Sequence, residues 1–135
     1  MGSKDLRNNL KAVIALAPVD ITTDTTTVGA TIDTAGYESV MFTVSTGVNT
    51  DGDITVQLFD DTDSAMGTEV SVTTAALGKD GTFPVIAAAD DATIYKFGYT
   101  GGKRYVRLKF VSATTTHCLI GASAILGHAR LAPVA

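Results

Sequence analysis

The stretch Arg104-Tyr-Val-Arg-Leu-Lys-Phe-Val111 decides the fold class, because apolar and polar side chains alternate along it with a period of two. Successive side chains of a β-strand point to opposite faces of the sheet, whereas a helix needs apolar residues every three or four positions. Three apolar residues of the stretch therefore share one inward face: Val106, Leu108 and Phe110. The pattern predicts a half-buried strand of an antiparallel sheet.

The same alternation recurs upstream in residues 39–46, 54–59 and 93–100. Other short β-branched or apolar runs bring the total to about eight strands at intervals of 8 to 12 residues, with no helical period between them. We therefore predict an all-β fold, an antiparallel β-sandwich of jelly-roll or Greek-key type. The predicted core consists of Val40, Phe42, Val44, Ile54, Val56, Leu58, Val106, Leu108, Phe110 and Ile120.

Turn residues separate the predicted strands and suggest which of them pair. Residues 49–52 (Asn-Thr-Asp-Gly) connect two alternating runs that we expect to form a strand pair, and residues 78–81 (Gly-Lys-Asp-Gly) predict a further turn. Gly101-Gly102 suits a tight hairpin because glycine tolerates a positive φ. The small residues of 121–124 (Gly-Ala-Ser-Ala) predict a central or interface-facing strand that other backbones approach closely.

A length of 135 residues suits one compact domain, so we assign residues 1–135 to a single β-sandwich. Residues 1–19 are expected to form an extended N-terminal arm and residues 127–135 a C-terminal tail, because neither segment has enough apolar residues for a core of its own. Both are expected to contact neighbouring subunits, and the arm to be dispensable for folding. The short apolar run before Pro18 does not match an export signal, and a reduced Cys118 fits a chain that stays in the cytoplasm.

Charge is distributed unevenly along the chain, although the formal net charge is only −4. Thirteen of the fourteen acidic residues lie between Asp20 and Asp91 beside one base, Lys79, whereas residues 92–135 carry six bases and no acid. The asymmetry fits an electrostatic binding face, or acidic loops lying beside a basic strand within one fold or between subunits. A nucleic-acid partner is not expected, since such proteins are usually basic overall. A membrane is not expected either, because no apolar run approaches the length of a membrane span.

The sequence offers no site for catalysis, a metal or a cofactor, so we expect a protein that is not an enzyme. The acidic turns at 51–53 and 60–63 lack the spacing of a calcium-binding EF-hand loop. His117 and Cys118 are neighbours on a predicted strand and therefore point to opposite faces, which rules out a joint site. Nothing distinguishes a Ser-His-Asp set from chance.

The outward row of the 104–111 strand is the one candidate binding site. It consists of Lys103, Tyr105, Arg107 and Lys109, three bases with one aromatic residue. Such a row could bind a carboxylate-rich protein surface or phosphate groups, or it could be the charged protection of a solvated or edge strand. The acidic middle of the chain is a further candidate partner, in the same or a neighbouring subunit.

Five further segments stand out when read in order along the chain. They are residues 32–40 (Ile-Asp-Thr-Ala-Gly-Tyr-Glu-Ser-Val), 50–53 (Thr-Asp-Gly-Asp), 58–63 (Leu-Phe-Asp-Asp-Thr-Asp), 98–108 (Gly-Tyr-Thr-Gly-Gly-Lys-Arg-Tyr-Val-Arg-Leu) and 127–134 (Gly-His-Ala-Arg-Leu-Ala-Pro-Val). In this order, they resemble the small head proteins of tailed bacteriophages described as capsid cement or decoration proteins.

The resemblance implies a jelly-roll sandwich that forms homotrimers, binds the major capsid protein on the outside of the shell, and stabilises the capsid without enzymatic activity. Its expected location is the capsid surface of the virion, after synthesis in the cytoplasm of the bacterial host. The main alternative is a carbohydrate-binding or adhesin-like jelly-roll module. The chain has no Trp and only four Tyr, which weakens that alternative because sugar sites usually present exposed aromatic rings. A jelly-roll hydrolase would lack a convincing carboxylate pair.

Overall fold

A computed structural model describes residues 5–73, 83–114 and 117–131, and these residues form two packed antiparallel sheets. The fold is an all-β sandwich, as the alternating patterns predict. Its strands are β1 (Lys11–Ile21), β2 (Thr26–Val28), β3 (Ile32–Asp33), β4 (Tyr37–Asn49), β5 (Asp53–Asp61), β6 (Val70–Ser71), β7 (Val85–Ile86), β8 (Ile94–Tyr99), β9 (Tyr105–Ala113) and β10 (Cys118–Ala129).

The order of the strands identifies the sandwich as a jelly roll. The four-stranded sheet has the order β1-β10-β4-β8, and the six-stranded sheet has the order β2-β9-β5-β6, with β3 also on β9 and β7 also on β5. The antiparallel pairs β1–β10, β2–β9, β4–β8 and β5–β6 are nested along the chain, so that the first strand pairs with the last. A long set of nested pairs rolled into two sheets is the jelly-roll arrangement.

One core lies between the two sheets, and it contains all ten residues that the alternation predicts for it. Phe42 of the four-stranded sheet and Leu108 and Phe110 of the six-stranded sheet are completely buried. Burial of an aliphatic or aromatic side chain of this size stabilises a fold by about 1.5 to 3 kcal/mol. Phe97 stacks on Phe42 with ring centroids 5.6 Å apart, which fixes β8 against β4 from inside the sandwich.

The predicted hairpin at Gly101-Gly102 is wrong, because β8 lies in the four-stranded sheet and β9 lies in the six-stranded sheet. The two glycines are part of a crossover between sheets, and neither has a positive φ. Gly101 is required for space instead, because a Cβ at this position would overlap the ring and hydroxyl oxygen of Tyr99. Two adjacent glycines are thus compatible with a hairpin or with a close approach, and only the strand pairing distinguishes them.

The expected pairing of the strands on either side of 49–52 is also wrong, since β4 and β5 belong to different sheets. The connection is anchored by Asn49, whose backbone N–H donates to Asp91 Oδ1 at 2.7 Å and whose side-chain amide donates to the Ala87 carbonyl at 2.7 Å. Gly52 has a φ of 79°, so this turn does use the conformation that glycine permits. The turn predicted at 78–81 lies outside the described residues.

The extended arm predicted for residues 1–19 is wrong from Lys11 onward, because β1 pairs with β10 along the edge of the four-stranded sheet. Ala15 and Leu16 of this strand are buried in the core. The register shifts between Ile14 and Leu16 and again before Val19, and these irregularities break the period of two that would reveal a strand. The predicted tail is likewise shorter, since β10 continues to Ala129.

The small-residue strand β10 is central, as predicted, and lies between β1 and β4. Its alternate residues Ala122 and Ala124 are buried in the core, whereas Gly121 and Ser123 face the outside of the sheet. Because these side chains are small, the outer surface of β10 is low at Gly121 and Ser123, whereas Leu119 and Ile125 carry larger outward-facing side chains on either side.

Candidate protein-binding surfaces

The basic row lies where the alternation predicts it, on the outer face of the six-stranded sheet. Tyr105, Arg107 and Lys109 point outward from β9 and are half-buried, and Lys103 precedes the strand. β9 pairs with β2 and β3 on one side and with β5 on the other, so it is an interior strand. The row therefore does not protect a free edge, which was one of the two interpretations of its charge.

Glu69 binds two bases of the row at once. Its Oε2 accepts from Arg107 Nε at 2.7 Å, and its Oε1 contacts Lys109 Nζ. The ammonium group of Lys109 also lies 4.2 Å from the ring centroid of Phe59, a cation–π geometry. The hydrogen bond from Arg107 and the neighbouring Lys109 hold the pKa of the Glu69 carboxyl below its ordinary value despite partial burial.

A loop anchored by a buried carboxylate brings Glu69 to the basic row. Asp61 is 2% exposed, and it accepts hydrogen bonds from the Thr68 N–H at 2.8 Å, the Thr68 hydroxyl at 3.0 Å and the Asp63 N–H at 3.1 Å. Burial raises the pKa of Asp61, but these hydrogen bonds outweigh burial and leave the pKa below its ordinary value. Met66 of the same loop is buried, so the loop packs on the body of the protein.

The first base of the row, Lys103, is also paired within the chain. Its Nζ lies 3.3 Å from Asp60 Oδ1, and the Tyr99 hydroxyl donates to Asp60 Oδ2 at 2.7 Å. Burial and the bond to Asp60 raise the pKa of Tyr99. Because Tyr99 belongs to β8 and Asp60 to β5, this cluster ties the two sheets together beside the crossover.

Tyr105, the aromatic member of the row, lies under a neighbouring guanidinium group. Arg104 lies 5.1 Å from the centroid of the Tyr105 ring and donates two hydrogen bonds to the Asp33 carboxylate, at 2.8 and 2.9 Å. These bonds lower the pKa of Asp33 to about 2. The acidic partners of the basic row thus lie in the same chain, and the outer face of the six-stranded sheet is a mixed-charge surface.

The other residues considered for chemistry lie apart from one another. Within 5–73, 83–114 and 117–131, no three His, Cys, Asp or Glu side chains are grouped so that they could hold a metal ion. His117 Nδ1 lies 2.8 Å from Asp20 Oδ2 near the surface, whereas Cys118 is completely buried and burial raises the pKa of its thiol. The two neighbours therefore point to opposite faces, as the strand geometry predicts.

The outer face of the four-stranded sheet has a different composition, and we call it the neutral face. It consists of the outward-pointing residues Ala12, Ile14, Pro18, Met41, Thr43, Ser45, Gly47, Ile94, Gly98, Leu119, Gly121, Ser123 and Ile125. Three of its large apolar side chains are well exposed: Ile94 (72%), Ile14 (56%) and Leu119 (41%). Among the described residues of these strands, the charged side chains on this face are Lys96, on the edge strand β8, and Asp20, at one end.

A shallow hollow of about 350 Å³ lies at one end of the neutral face. Its lining residues include Pro18, Ser45, Gly47, Leu119 and Gly121, and most of its surface is apolar. The hollow exists because two neighbouring strands carry glycines there: a Cβ on Gly47 would lie 3.0 Å from Leu119 Cβ, and a Cβ on Gly121 would lie 3.4 Å from Pro18 Cγ.

The neutral face was not predicted from the sequence, although the outward positions of β4 indicate it. In β4 the positions between the core residues are Met41, Thr43 and Ser45, and none of them carries a charge. The corresponding positions of β9 carry Tyr105, Arg107 and Lys109. Comparing the outward halves of the two alternating patterns would have identified the uncharged sheet face, but the hollow depends on the pairing of β1, β10 and β4.

No family model matches the sequence, and no curated protein is significantly similar to it. Solved structures share the fold, and two of them are phage-derived proteins. The PBSX exported protein XepA superposes with a TM-score of 0.57 at 11% identity over 90% of this chain, which spans 38% of the length of XepA. The SPBc2 prophage-derived protein YomS superposes with a TM-score of 0.50 at 12% identity, over 87% of this chain and 92% of YomS. At these identities the likeness shows a common fold.

The part of the chain that the structure describes contains no helix long and apolar enough to span a membrane.

Proposed function

We propose that this chain is a structural protein of a bacteriophage particle, which binds the outside of the capsid and stabilises it as a cement or decoration protein. The observation that carries the proposal is the contrast between a mixed-charge face with internal ion pairs and a neutral face with exposed apolar side chains. A sheet face of the second kind can be buried against a protein surface without removing charges from water.

Two further points support a phage origin. Two of the solved structures that share the fold are an exported protein of PBSX and a protein derived from the SPBc2 prophage. Several segments of the sequence, from 32–40 to 127–134, resemble capsid cement proteins of tailed phages. The proposed partner is accordingly the major capsid protein, the proposed location is the capsid surface, and the proposed role involves no catalysis.

The alternative of a carbohydrate-binding module receives less support, because sugar sites usually present an exposed aromatic ring. Tyr99 is buried, and the other three tyrosines, Tyr37, Tyr95 and Tyr105, are each half-buried. Tyr95 packs against the core, and burial together with a hydrogen bond to Asp90 raises the pKa of its hydroxyl to about 12. Each of the four tyrosines is thus at least partly covered by the protein.

The proposal is tested by mass-spectrometric inventory of purified particles of the phage or prophage that encodes the chain. We expect its peptides to be present in particles washed in high salt, in an amount proportional to the major capsid protein. Its absence from intact particles, with the chain detected in the lysate from which they were purified, would contradict a role in the capsid.

A homotrimer is the proposed assembly, and light scattering on the purified protein tests it separately. We expect a mass of three protomers at micromolar concentration. A mass of one protomer would contradict a trimer in solution, and the shell-binding experiment described below would then show whether single protomers bind.

A further inference from the structure

We propose that the neutral face is the surface by which the chain docks on the capsid, and that an uncharged, apolar patch of the shell protein covers it, with one apolar side chain seated in the hollow. This inference rests on the proposed function and names the surface and the partner chemistry that the function leaves open. It assigns the binding role to the outer surface of β1, β10 and β4, which lies on the opposite sheet from the basic row.

Charge distribution argues for this face over the opposite one. On the six-stranded sheet, a partner would have to displace or desolvate Glu69, Arg107 and Lys109, which already satisfy one another at hydrogen-bond distance. Removing ion-paired groups from water is costly unless the partner replaces every contact. The neutral face carries its charges at the margin, with Lys96 on the edge strand and Asp20 at one end beside His117.

The lack of charge on the neutral face also indicates what kind of shell surface can bind there. A charged partner surface would lose its hydration against Ile14, Ile94 and Leu119 without gaining an ion pair in the middle of the face. An uncharged apolar surface loses little and releases water from these exposed side chains. Complementarity of charge therefore favours a neutral shell surface over an acidic or phosphate-bearing one.

The hollow gives the neutral face a concave site that can receive a side chain of the partner. Its walls are the apolar side chains of Pro18 and Leu119, and its floor is low because Gly47 and Gly121 have no side chains. A concave apolar site in a flat surface is where a projecting aliphatic or aromatic residue of a partner contributes most to affinity. Ser45 lies at the hollow and is exposed, so its substitution changes the hollow without disturbing the core.

The test compares two exposed, outward-facing serines on opposite sheets. Ser45 lies on β4 at the hollow, and Ser71 lies on β6 opposite Phe59 on the outer face of the six-stranded sheet. We expect Ser45→Glu to weaken binding of the purified chain to empty shells at least tenfold, because it introduces a charge into the contact. Ser71→Glu makes the same change on the other face and should leave the affinity within twofold of wild type.

A second substitution tests the hollow itself. Ser45→Leu fills it with an apolar side chain and should weaken shell binding several-fold by excluding the partner residue, whereas Ser71→Leu should not. Melting temperatures close to wild type show that the variants fold.

Met41 allows a measurement on the wild-type chain, because it lies half-buried on the neutral face. Its oxidation by peroxide should be slower when the chain is bound to shells than when it is free.

The outcomes separate this inference from the proposed function. If wild type binds shells and both Ser45 variants bind equally well, the docking face is wrong and the capsid role stands. If wild type does not bind shells, the capsid role fails and the inference fails with it. If Ser45→Glu lowers the mass of the assembly in light scattering but leaves shell affinity unchanged, the neutral face is covered by a second copy and the proposed occupant is wrong.

Discussion

The two outer faces of this sandwich are built on the same alternating pattern and yet present opposite surfaces. On the six-stranded sheet, the positions between the core residues of β9 carry Arg107 and Lys109, and both pair with Glu69 of the same chain. Just before this strand, Lys103 pairs with Asp60 and Arg104 pairs with Asp33. On the four-stranded sheet, the equivalent positions carry small, hydroxyl or aliphatic side chains. The inward-facing residues of a strand therefore determine the core, whereas its outward-facing residues determine which surfaces the sheet can contact.

The difference also shows why counting charges along the chain is a poor guide to a binding surface. The basic segment and the acidic middle are far apart in sequence, but Arg107 and Glu69 lie 2.7 Å apart in the fold. Exposed ion pairs contribute little to stability, whereas removing one partner of a buried pair is costly because it leaves the other charge without its partner. Most bases of the basic segment are therefore already paired with acidic side chains of the same chain. The neutral face is accordingly the better candidate for a surface that binds a partner.

The largest effect is expected from removing β1, the strand that supplies Ile14 and Pro18 to the neutral face. Deletion of residues 1–17 removes the buried Ala15 and Leu16 and most of the pairing with β10. We expect the melting temperature to fall by about 10 °C or more, since each kcal/mol corresponds to several degrees in a small domain. Deletion of residues 1–7, which ends before β1, should leave it nearly unchanged. Equal stability of the two truncated chains would show that β1 is the dispensable arm predicted from sequence.

Leu108→Ala tests the core that supports both faces. Leu108 is completely buried on the inner side of β9, so its truncation should lower the free energy of unfolding by roughly 2 to 5 kcal/mol in chemical denaturation. Leu119→Ala on the neutral face is the control, because Leu119 is 41% exposed and its loss should cost far less. A small effect at Leu108 would overturn the assigned inward register of β9.

Glu69→Gln tests the mixed-charge face alone. Losing the ion pairs with Arg107 and Lys109 should destabilise the protein by about 1 kcal/mol at neutral pH. Because the folded pKa of Glu69 is lowered, its contribution is present above the unfolded pKa near 4.5 and is lost as pH falls through the folded value. The stability difference between wild type and Glu69→Gln should therefore shrink as the pH is lowered below the unfolded pKa near 4.5.

The control for Glu69 is Glu38→Gln. It removes the same charge from an ion pair with Arg130 whose two side chains are mostly exposed, so it should not change the melting temperature measurably. A stability difference at Glu69 that persists unchanged at pH 3 would mean that the lost contact is packing of the loop and that the ion pairs contribute little.

The smallest effect is expected from salt. If the neutral face docks on the shell, raising the salt concentration from about 0.05 to 0.5 M should change shell affinity by less than about threefold, because no charges approach one another in the contact. Co-sedimentation with shells at several salt concentrations measures this. If salt weakened the affinity for shells tenfold or more, the binding surface would instead be the basic row of Lys103, Arg107 and Lys109.

The sequence predicted the side-chain directions of this protein more reliably than its strand pairing. Alternation assigned Val40, Leu58 and Ile120 to the core without knowledge of the fold, because the period of two is a local property of an extended backbone. The candidate site was predicted in the same way: the outward direction of the basic row is correct. The acidic middle of the chain was correctly considered as its partner, but the individual residue Glu69 was not identified, since it reaches the row through a loop held by Asp61.

The local pattern of residues is therefore sufficient for the fold class, the inward rows and the absence of charge on the outward positions of β4 and β10. Three features emerge only in the folded chain: β8 and β9 separate into different sheets, Lys11–Ile21 is a strand, and Gly47 and Gly121 meet to form a hollow. Side-chain direction depends on neighbouring dihedral angles, whereas pairing and surface shape depend on contacts between residues that are distant in the chain.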